Sequence, residues 1–257
     1  MTRLHFTREE GQGEGPMVVL SHALGLDASM WDGVAALLRS DHTVLRYDHR
    51  NHGQSERVPG PLSVAMLADD AATLIRQQAG GAPVHFVGLS MGGMTAQALA
   101  ASHPELLSSI TIANSAAFYP DKAPWVARVN TIRAQGIPAM ADGAVARWLT
   151  PAFLATPEGA LAGGALRKTL VASDTEGYIA SCEAVGAIDF RDSNRRIGVP
   201  TLVIAGTQDE ATPIALSHEI ADAIPGAQLV TIDAAHISAM ERPAEFAALL
   251  RAFWSKL

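Results

Sequence analysis

One cysteine, no excess of positive charge and no long apolar run are the first features of this 257-residue sequence. Cys182 is the only cysteine, which excludes an internal disulfide, so we expect a cytoplasmic protein. The formal net charge of −7 argues against binding to nucleic acid or to an anionic membrane surface. No run approaches the ~18 apolar residues of a membrane span, and the first residues do not have the pattern of a signal peptide.

The sequence also lacks the common nucleotide and metal motifs. It contains neither G-x-x-x-x-G-K-[ST] nor G-x-G-x-x-G, the glycine-rich patterns that cradle phosphates, and no H-x-H-x-D-H run of a metal-dependent lactonase. His49 and His52 stand beside Asp48, but metal sites usually draw three or more ligands from a regular spacing. A turn between a strand and a helix explains this segment as well. We therefore expect neither a metal nor an organic cofactor.

Apolar runs alternate with helical patterns along most of the chain. This order is typical of a mostly parallel sheet covered by helices, and the length suffices for one such α/β domain. We assign residues 1–114 and 195–257 to this core, with a short leading strand at 4–8. The patterns predict core strands at 17–20, 43–47, 84–87, 109–113, 201–205 and 228–232, and helices at 29–39, 64–78 and 243–254.

The alternation stops between residues 115 and 194. This stretch contains helical patterns and no clear strand, and it is interrupted by Pro120, Pro124, Pro138, Pro151 and Pro157. Because it lies between two core strands, we interpret it as an insertion at the carboxyl edge of the sheet, where such sheets bind ligands. The insertion is predicted to form a helical cap over an active site. A helical subdomain without a ligand role is the alternative.

The segment Gly88-Leu89-Ser90-Met91-Gly92 has the pattern G-x-S-x-G. An apolar, strand-like run precedes it and a helical pattern follows it. A strand, a sharp turn and a helix form the nucleophile elbow of serine hydrolases, in which the serine hydroxyl is exposed above the sheet. The two glycines allow strand and helix to approach closely. We therefore predict that Ser90 is a nucleophile.

A serine nucleophile needs a general base, and the base needs an orienting acid. His236 follows the last predicted strand, whereas His218 lies within a predicted surface helix, so His236 is the predicted base. The acid should follow the preceding strand, which favours Asp209. Glu210 is the adjacent alternative and is more typical of a solvated carboxylate. Asp233 is closer to His236 in sequence, but it ends a strand and suits a turn or cap.

Two backbone amides should form an oxyanion hole. The first is predicted at Met91, directly after the nucleophile. The second is predicted at Leu24, in the loop after the first core strand. His22 in the same loop is interpreted as a structural histidine that holds the loop by hydrogen bonds. Cys182 has no catalytic signature around it and is interpreted as a structural thiol.

These segments resemble the α/β-hydrolase fold family over nearly the whole chain. The similar stretches are residues 21–31, 47–55, 88–92, 206–209 and 235–236. Within the family, the chain is most similar to 3-oxoadipate enol-lactonases, through residues 45–48, 147–153 and 176–184. The loop that carries Leu24 reads Ser-His-Ala-Leu-Gly, where those lactonases more often have Asn-Ser before Leu-Gly. The resemblance implies an α/β-hydrolase core, a helical cap and a lactone or small ester as substrate.

A carboxylated enol-lactone would require a cation in an otherwise apolar cap, because an unpaired buried carboxylate is costly. Arginine grips a carboxylate bidentately, so Arg133 and Arg147 are the candidate partners. Trp148 would form an adjacent apolar wall, and Trp31 is also assigned to substrate binding.

The sequence thus predicts a cofactor-independent serine hydrolase acting on a small-molecule lactone or ester. Three alternatives share the triad: a broad carboxylesterase with perhydrolase activity, a carbon–carbon bond hydrolase of ring-cleavage products, and a slow-turnover ligand receptor. The sequence does not fix the oligomeric state.

Overall fold

The computed structural model describes residues 2–13 and 15–257, whose centre is a seven-stranded sheet. The strands are β1 (Phe6–Glu9), β2 (Val18–Ser21), β3 (Val44–Tyr47), β4 (Val84–Leu89), β5 (Leu107–Ala113), β6 (Thr201–Gly206) and β7 (Gln228–Ile232). Their order across the sheet is β1-β3-β2-β4-β5-β6-β7. The β1 strand pairs antiparallel with β3, and all other neighbours are parallel. The carboxyl ends of β2 to β7 therefore meet at one edge.

The central strands are buried on both faces. Every residue of β2, β4 and β6 is buried, as expected for parallel strands covered by helices on both sides. The two edge strands are more exposed, because each has a neighbour on one side only. This difference explains why continuous apolar runs predicted the inner strands from sequence.

In the part of the chain that the structure describes, the core contains six α-helices. They are α1 (Asp32–Leu38), α2 (Val64–Gln78), α3 (Met91–Ser102), α10 (Ile214–Ala223), α11 (Ser238–Glu241) and α12 (Pro243–Trp254). The bounds of α2 and α12 agree with the sequence prediction. The single helix predicted at 29–39 is instead a 3-10 turn, Ala28–Trp31, followed by α1. The turn begins where the Asp27 side chain accepts a hydrogen bond from the Ser29 amide.

The segment between β5 and β6 is helical. It forms α4 (Ala123–Gln135), α5 (Pro138–Trp148), α6 (Pro151–Leu154), α7 (Pro157–Val171), α8 (Thr175–Gly186) and α9 (Arg191–Asn194). Proline occupies the first position of α5, α6 and α7, where its missing N–H costs no helical hydrogen bond. Pro124 is the second residue of α4, so four of the five prolines that interrupt the sequence pattern lie at helix starts, and Pro120 lies outside the helices. We call residues 115–194 the helical insertion.

Among the described residues, no helix combines the length and the apolar character needed to cross a membrane. The Cys182 thiol is buried in α8, and burial raises its pKa to about 11. A thiol that is protonated and inaccessible is a poor nucleophile, which agrees with a structural role.

Candidate active site

Ser90 occupies a sharp turn between β4 and α3. Its φ of +57° lies in the left-handed region, which a non-glycine residue rarely adopts. The flanking glycines are required by close packing. A Cβ at Gly88 would lie 2.0 Å from the carbonyl oxygen of Gly92, and a Cβ at Gly92 would lie 2.1 Å from that of Ser21. The strand–turn–helix context read from the G-x-S-x-G pattern is therefore present.

Ser90, His236 and Asp209 form a hydrogen-bonded chain. His236 Nε2 lies 2.9 Å from Ser90 Oγ, and His236 Nδ1 lies 2.9 Å from Asp209 Oδ2. Because the carboxylate can only accept, Nδ1 carries the proton and Nε2 is free to accept one from the serine. Ser90 follows β4, Asp209 follows β6 and His236 follows β7. Because these strands are parallel, the three residues lie at the same edge of the sheet.

The Asp209 carboxylate is held in its ionised form. Burial alone would raise its pKa, but the His236 ring and the hydrogen bonds from His236 and Thr212 outweigh burial and lower the pKa to about 2. Oδ1 accepts from the amides of Ala211 and Thr212 at 2.8 and 2.9 Å. Oδ2 also accepts from the Thr212 hydroxyl at 2.7 Å. The histidine therefore faces a fixed negative charge.

Asn114 is a supporting residue that sequence reasoning missed. Its Nδ2 donates to Asp209 Oδ2 at 3.0 Å and to the Ala235 carbonyl at 3.3 Å, while its Oδ1 accepts from the Ser238 hydroxyl at 2.6 Å. Asn114 thus links the end of β5 to the acid and to the histidine loop. Its position directly after an apolar strand, at the edge where Ser90 also lies, is the signal that could have identified it.

The predicted oxyanion donors belong to two segments, the start of α3 and the loop after β2. Met91 is the first residue of α3, and the amide of a first helical residue has no acceptor within its helix. Leu24 belongs to the loop after β2 and lines the same cavity as Ser90 and His236.

The buried rings of His22 and His52 support that loop. His22 Nδ1 donates to the Ala23 carbonyl at 2.8 Å, and its Nε2 accepts from the His49 amide at 2.9 Å. His52 Nε2 accepts from the Gly25 amide at 3.1 Å. Burial lowers the pKa of His22 to about 4 and that of His52 to about 3, so both rings are neutral at pH 7.

These hydrogen bonds agree with the structural role that the sequence predicted for His22. In the part of the chain that the structure describes, no three His, Cys, Asp or Glu side chains are grouped as metal ligands. The expectation that no metal is needed remains a prediction.

A cavity of about 380 Å³ lies above Ser90, between the sheet edge and the helical insertion. Ser90, His236 and Leu24 line it from the core, together with residues 210–213. The side chains that line it from the insertion include the aromatic Tyr119, Trp125 and Trp148, the cationic Arg128 and Arg147, and the acidic Asp121. Because Glu210 also lines it, the cavity combines apolar walls with two cationic and two acidic residues, and the two arginines are the groups that suit an anionic ligand.

Two of the four predicted substrate-binding residues lie elsewhere. Trp31 is fully buried in the core and packs edge-on against Phe246, with ring centroids 5.7 Å apart, so assigning it to substrate binding was wrong. Arg133 points to the outer surface of the insertion, where it pairs with Glu183 at 3.2 Å. Arg147 and Trp148 both line the cavity.

Arg128, one turn and a half before Arg133 in α4, was missed. Five residues along a helix correspond to a rotation of about 140°, so the two arginines point in different directions. The Arg128 side chain extends into the cavity and lies over the Trp125 ring, 4.9 Å from its centroid. The sequence shows that both arginines belong to one helix, but it does not show which face meets the sheet edge.

Comparison with known proteins gives a consistent set of matches. The family model described as alpha/beta hydrolase fold matches residues 16–243. The chain is 36% identical to 3-oxoadipate enol-lactonase 2 of Acinetobacter baylyi, over 92% of this chain and 87% of that protein. It is similar to the crystal structure of the enol-lactonase from Burkholderia xenovorans, with a TM-score of 0.93, 38% identity, and coverage of 99% and 97% of the two chains. A thermophilic esterase from Thermogutta terrifontis is also similar, with a TM-score of 0.91, 25% identity, and coverage of 99% and 94%.

Proposed function

The chain belongs to the α/β-hydrolase fold family and is a carboxylic ester hydrolase, and from that premise we propose that it hydrolyses 3-oxoadipate enol-lactone. The observation that carries the proposal is the hydrogen-bonded chain Asp209–His236–Ser90 on the floor of a cavity that also contains two arginines. The identities to enol-lactonases over most of the chain support the choice of substrate. The helical insertion acts as the cap that closes the cavity.

In the proposed reaction, Ser90 Oγ attacks the lactone carbonyl while His236 Nε2 takes the hydroxyl proton. The resulting oxyanion accepts hydrogen bonds from the amides of Leu24 and Met91. When the intermediate collapses, the ring C–O bond breaks and His236 returns the proton to the leaving enol oxygen. Asp209 stabilises the imidazolium during both steps. A water molecule, deprotonated by His236, then hydrolyses the acyl-enzyme and releases Ser90. An enol leaves more readily than an alkoxide, so this machinery suits an enol-lactone.

The free carboxylate of this substrate needs a cationic partner. Arg128 and Arg147 both line the cavity, on α4 and α5 of the cap, and Trp148 lies beside them as an apolar wall. A guanidinium can pair with a carboxylate through two parallel hydrogen bonds. We propose that these arginines bind the carboxylate while Ser90 attacks the ring carbonyl.

The test compares a carboxylated enol-lactone with a neutral aryl ester on Arg128→Ala and Arg147→Ala, with Arg133→Ala as the matched control on the outer surface. Loss of the arginine that binds the carboxylate should remove ~3 kcal/mol of binding free energy. KM should then rise about 10²-fold for the carboxylated substrate and stay nearly unchanged for the aryl ester. If both substrates respond alike in all three variants, a broad carboxylesterase is the better assignment. Binding of the lactone without steady-state turnover would instead indicate a receptor. Cleavage of a ring-fission diketone would indicate a carbon–carbon bond hydrolase.

A further inference from the structure

Glu241 is a buried carboxylate that the proposed mechanism does not use. It ends the short helix α11, five residues after His236, and is 4% exposed. Its Oε2 accepts from the Thr150 amide at 3.1 Å and from the Ala235 amide at 3.2 Å, and its Oε1 accepts from the Thr150 hydroxyl. All three donors are neutral, so the contact is a set of hydrogen bonds to a buried acceptor and not an ion pair.

The two partners of Glu241 belong to two different segments that each contribute a residue to the cavity wall. Ala235 directly precedes His236 in the loop after β7. Thr150 belongs to the helical insertion and follows Trp148, which lines the cavity, by two residues. A further hydrogen bond joins the same segments, from the Ile237 amide to the Trp148 carbonyl at 2.9 Å. One side chain therefore holds the insertion and the histidine loop in a fixed relation.

We propose that Glu241 is a positioning residue, which sets the distance between the Trp148 wall and His236 by binding Thr150 and Ala235 together. This role rests on the proposed function. The hydrogen bond to Ala235 orients the loop that carries the base and therefore acts on kcat. The hydrogen bonds to Thr150 fix the Trp148 wall, against which the acyl group packs, and therefore act on KM. Reacting groups tolerate little misplacement, so the loss of either contact should change the measured kinetic constants.

The substitutions separate geometry from charge. Glu241→Leu keeps the approximate volume but leaves two buried amides and one hydroxyl without an acceptor. Glu241→Gln keeps an oxygen for the two amides, and its Nε2 can donate to the Thr150 hydroxyl oxygen. Thr150→Val removes the hydroxyl contact to Glu241 and the hydrogen bond from the Phe153 amide to the same hydroxyl, and it leaves both amide contacts of Glu241 in place. Glu245→Leu, at an exposed position in the first turn of α12, is the matched control.

The experiment measures kcat and KM for p-nitrophenyl esters, normalised to the number of active sites titrated with a fluorophosphonate. Glu241→Leu should lower kcat per site about 10-fold and raise KM about 5-fold. Thr150→Val should raise KM with a change in kcat below about twofold, and Glu241→Gln should restore both constants to within about twofold of wild type. Glu245→Leu should behave as wild type.

A merely structural glutamate would give a different result. In that case Glu241→Leu would lower the melting temperature and the number of titratable sites, but each remaining site would keep wild-type constants, which would overturn the proposal. Equal damage from Glu241→Gln and Glu241→Leu would overturn it too, because the role would then depend on charge. Failure of the wild type to react with esters or fluorophosphonate would instead refute the proposed function, and this role with it.

Discussion

The buried histidines beneath the Leu24 loop should make the fold sensitive to mild acid. In the folded protein, burial lowers the pKa of His22 to about 4 and that of His52 to about 3, from an ordinary value of 6.5. Below pH 6.5 the unfolded chain binds protons at these rings and the folded chain does not. Unfolding therefore takes up protons, so stability is fully present above about pH 6.5 and falls as the pH decreases towards 4.

The size of the effect follows from the width of this window. Each pH unit below 6.5 costs about 1.4 kcal/mol for each histidine that stays neutral in the fold. At pH 5 the loss is therefore about 2 kcal/mol for each ring, or about 4 kcal/mol for the pair. A domain is typically stable by only about 5–15 kcal/mol, so this loss is a large share of the total.

The assay is urea unfolding at pH 7, 6 and 5. His52→Gln removes one titrating ring, while the side-chain oxygen of the glutamine can still accept from the Gly25 N–H. The dependence of the unfolding free energy on pH should then become shallower by about 1.4 kcal/mol per pH unit between pH 6 and 5. His218→Gln, at an exposed position of α10, should leave the dependence unchanged. A free energy of unfolding that is equal at pH 7 and pH 5 in the wild type would refute the reasoning.

Three further predictions concern the chemistry. Ser90→Ala should lower kcat by about 10³-fold or more with an unchanged circular dichroism spectrum, because the covalent route is lost, and near-normal turnover would contradict the mechanism. Asp209→Asn should lower kcat by up to about 10⁴-fold while Glu210→Gln has a mild effect, and the reverse order would show that the wrong carboxylate was chosen. EDTA should not inhibit, since the triad requires no metal; activity that is lost with EDTA and restored by a divalent cation would disprove this.

The fold could be predicted from the sequence where local patterns are decisive. The inner strands are buried on both faces, so their apolar runs were visible without a structure. Helix α2 was predicted with its correct ends because its periodicity starts directly after Ser63, whose hydroxyl accepts from the Met66 amide. Ser90 was singled out by the G-x-S-x-G pattern between a strand and a helix, and Asp209 and His236 were singled out because they follow the last two predicted strands. Their catalytic roles remain predictions.

Contacts between distant segments could not be predicted in this way. The choice of Arg133 failed because sequence does not reveal how α4 is rotated against the core, and Arg128 was missed for the same reason. Trp31, the last residue of the family-like stretch 21–31, was assigned to the site, but the 3-10 turn directs its ring against Phe246. Asn114 and Glu241 act on residues 95 and 91 positions away, and no local pattern marks such pairs.

The buried thiol of Cys182 makes this chain a convenient subject for site-specific labelling. Its protonated, enclosed sulfur should be inert to maleimides, so a cysteine placed on the surface would be the single reactive position. Leu161 on α7 is 77% exposed and offers such a position on the helical insertion. A fluorophore there would test whether the insertion moves during turnover, without any change to the native cysteine.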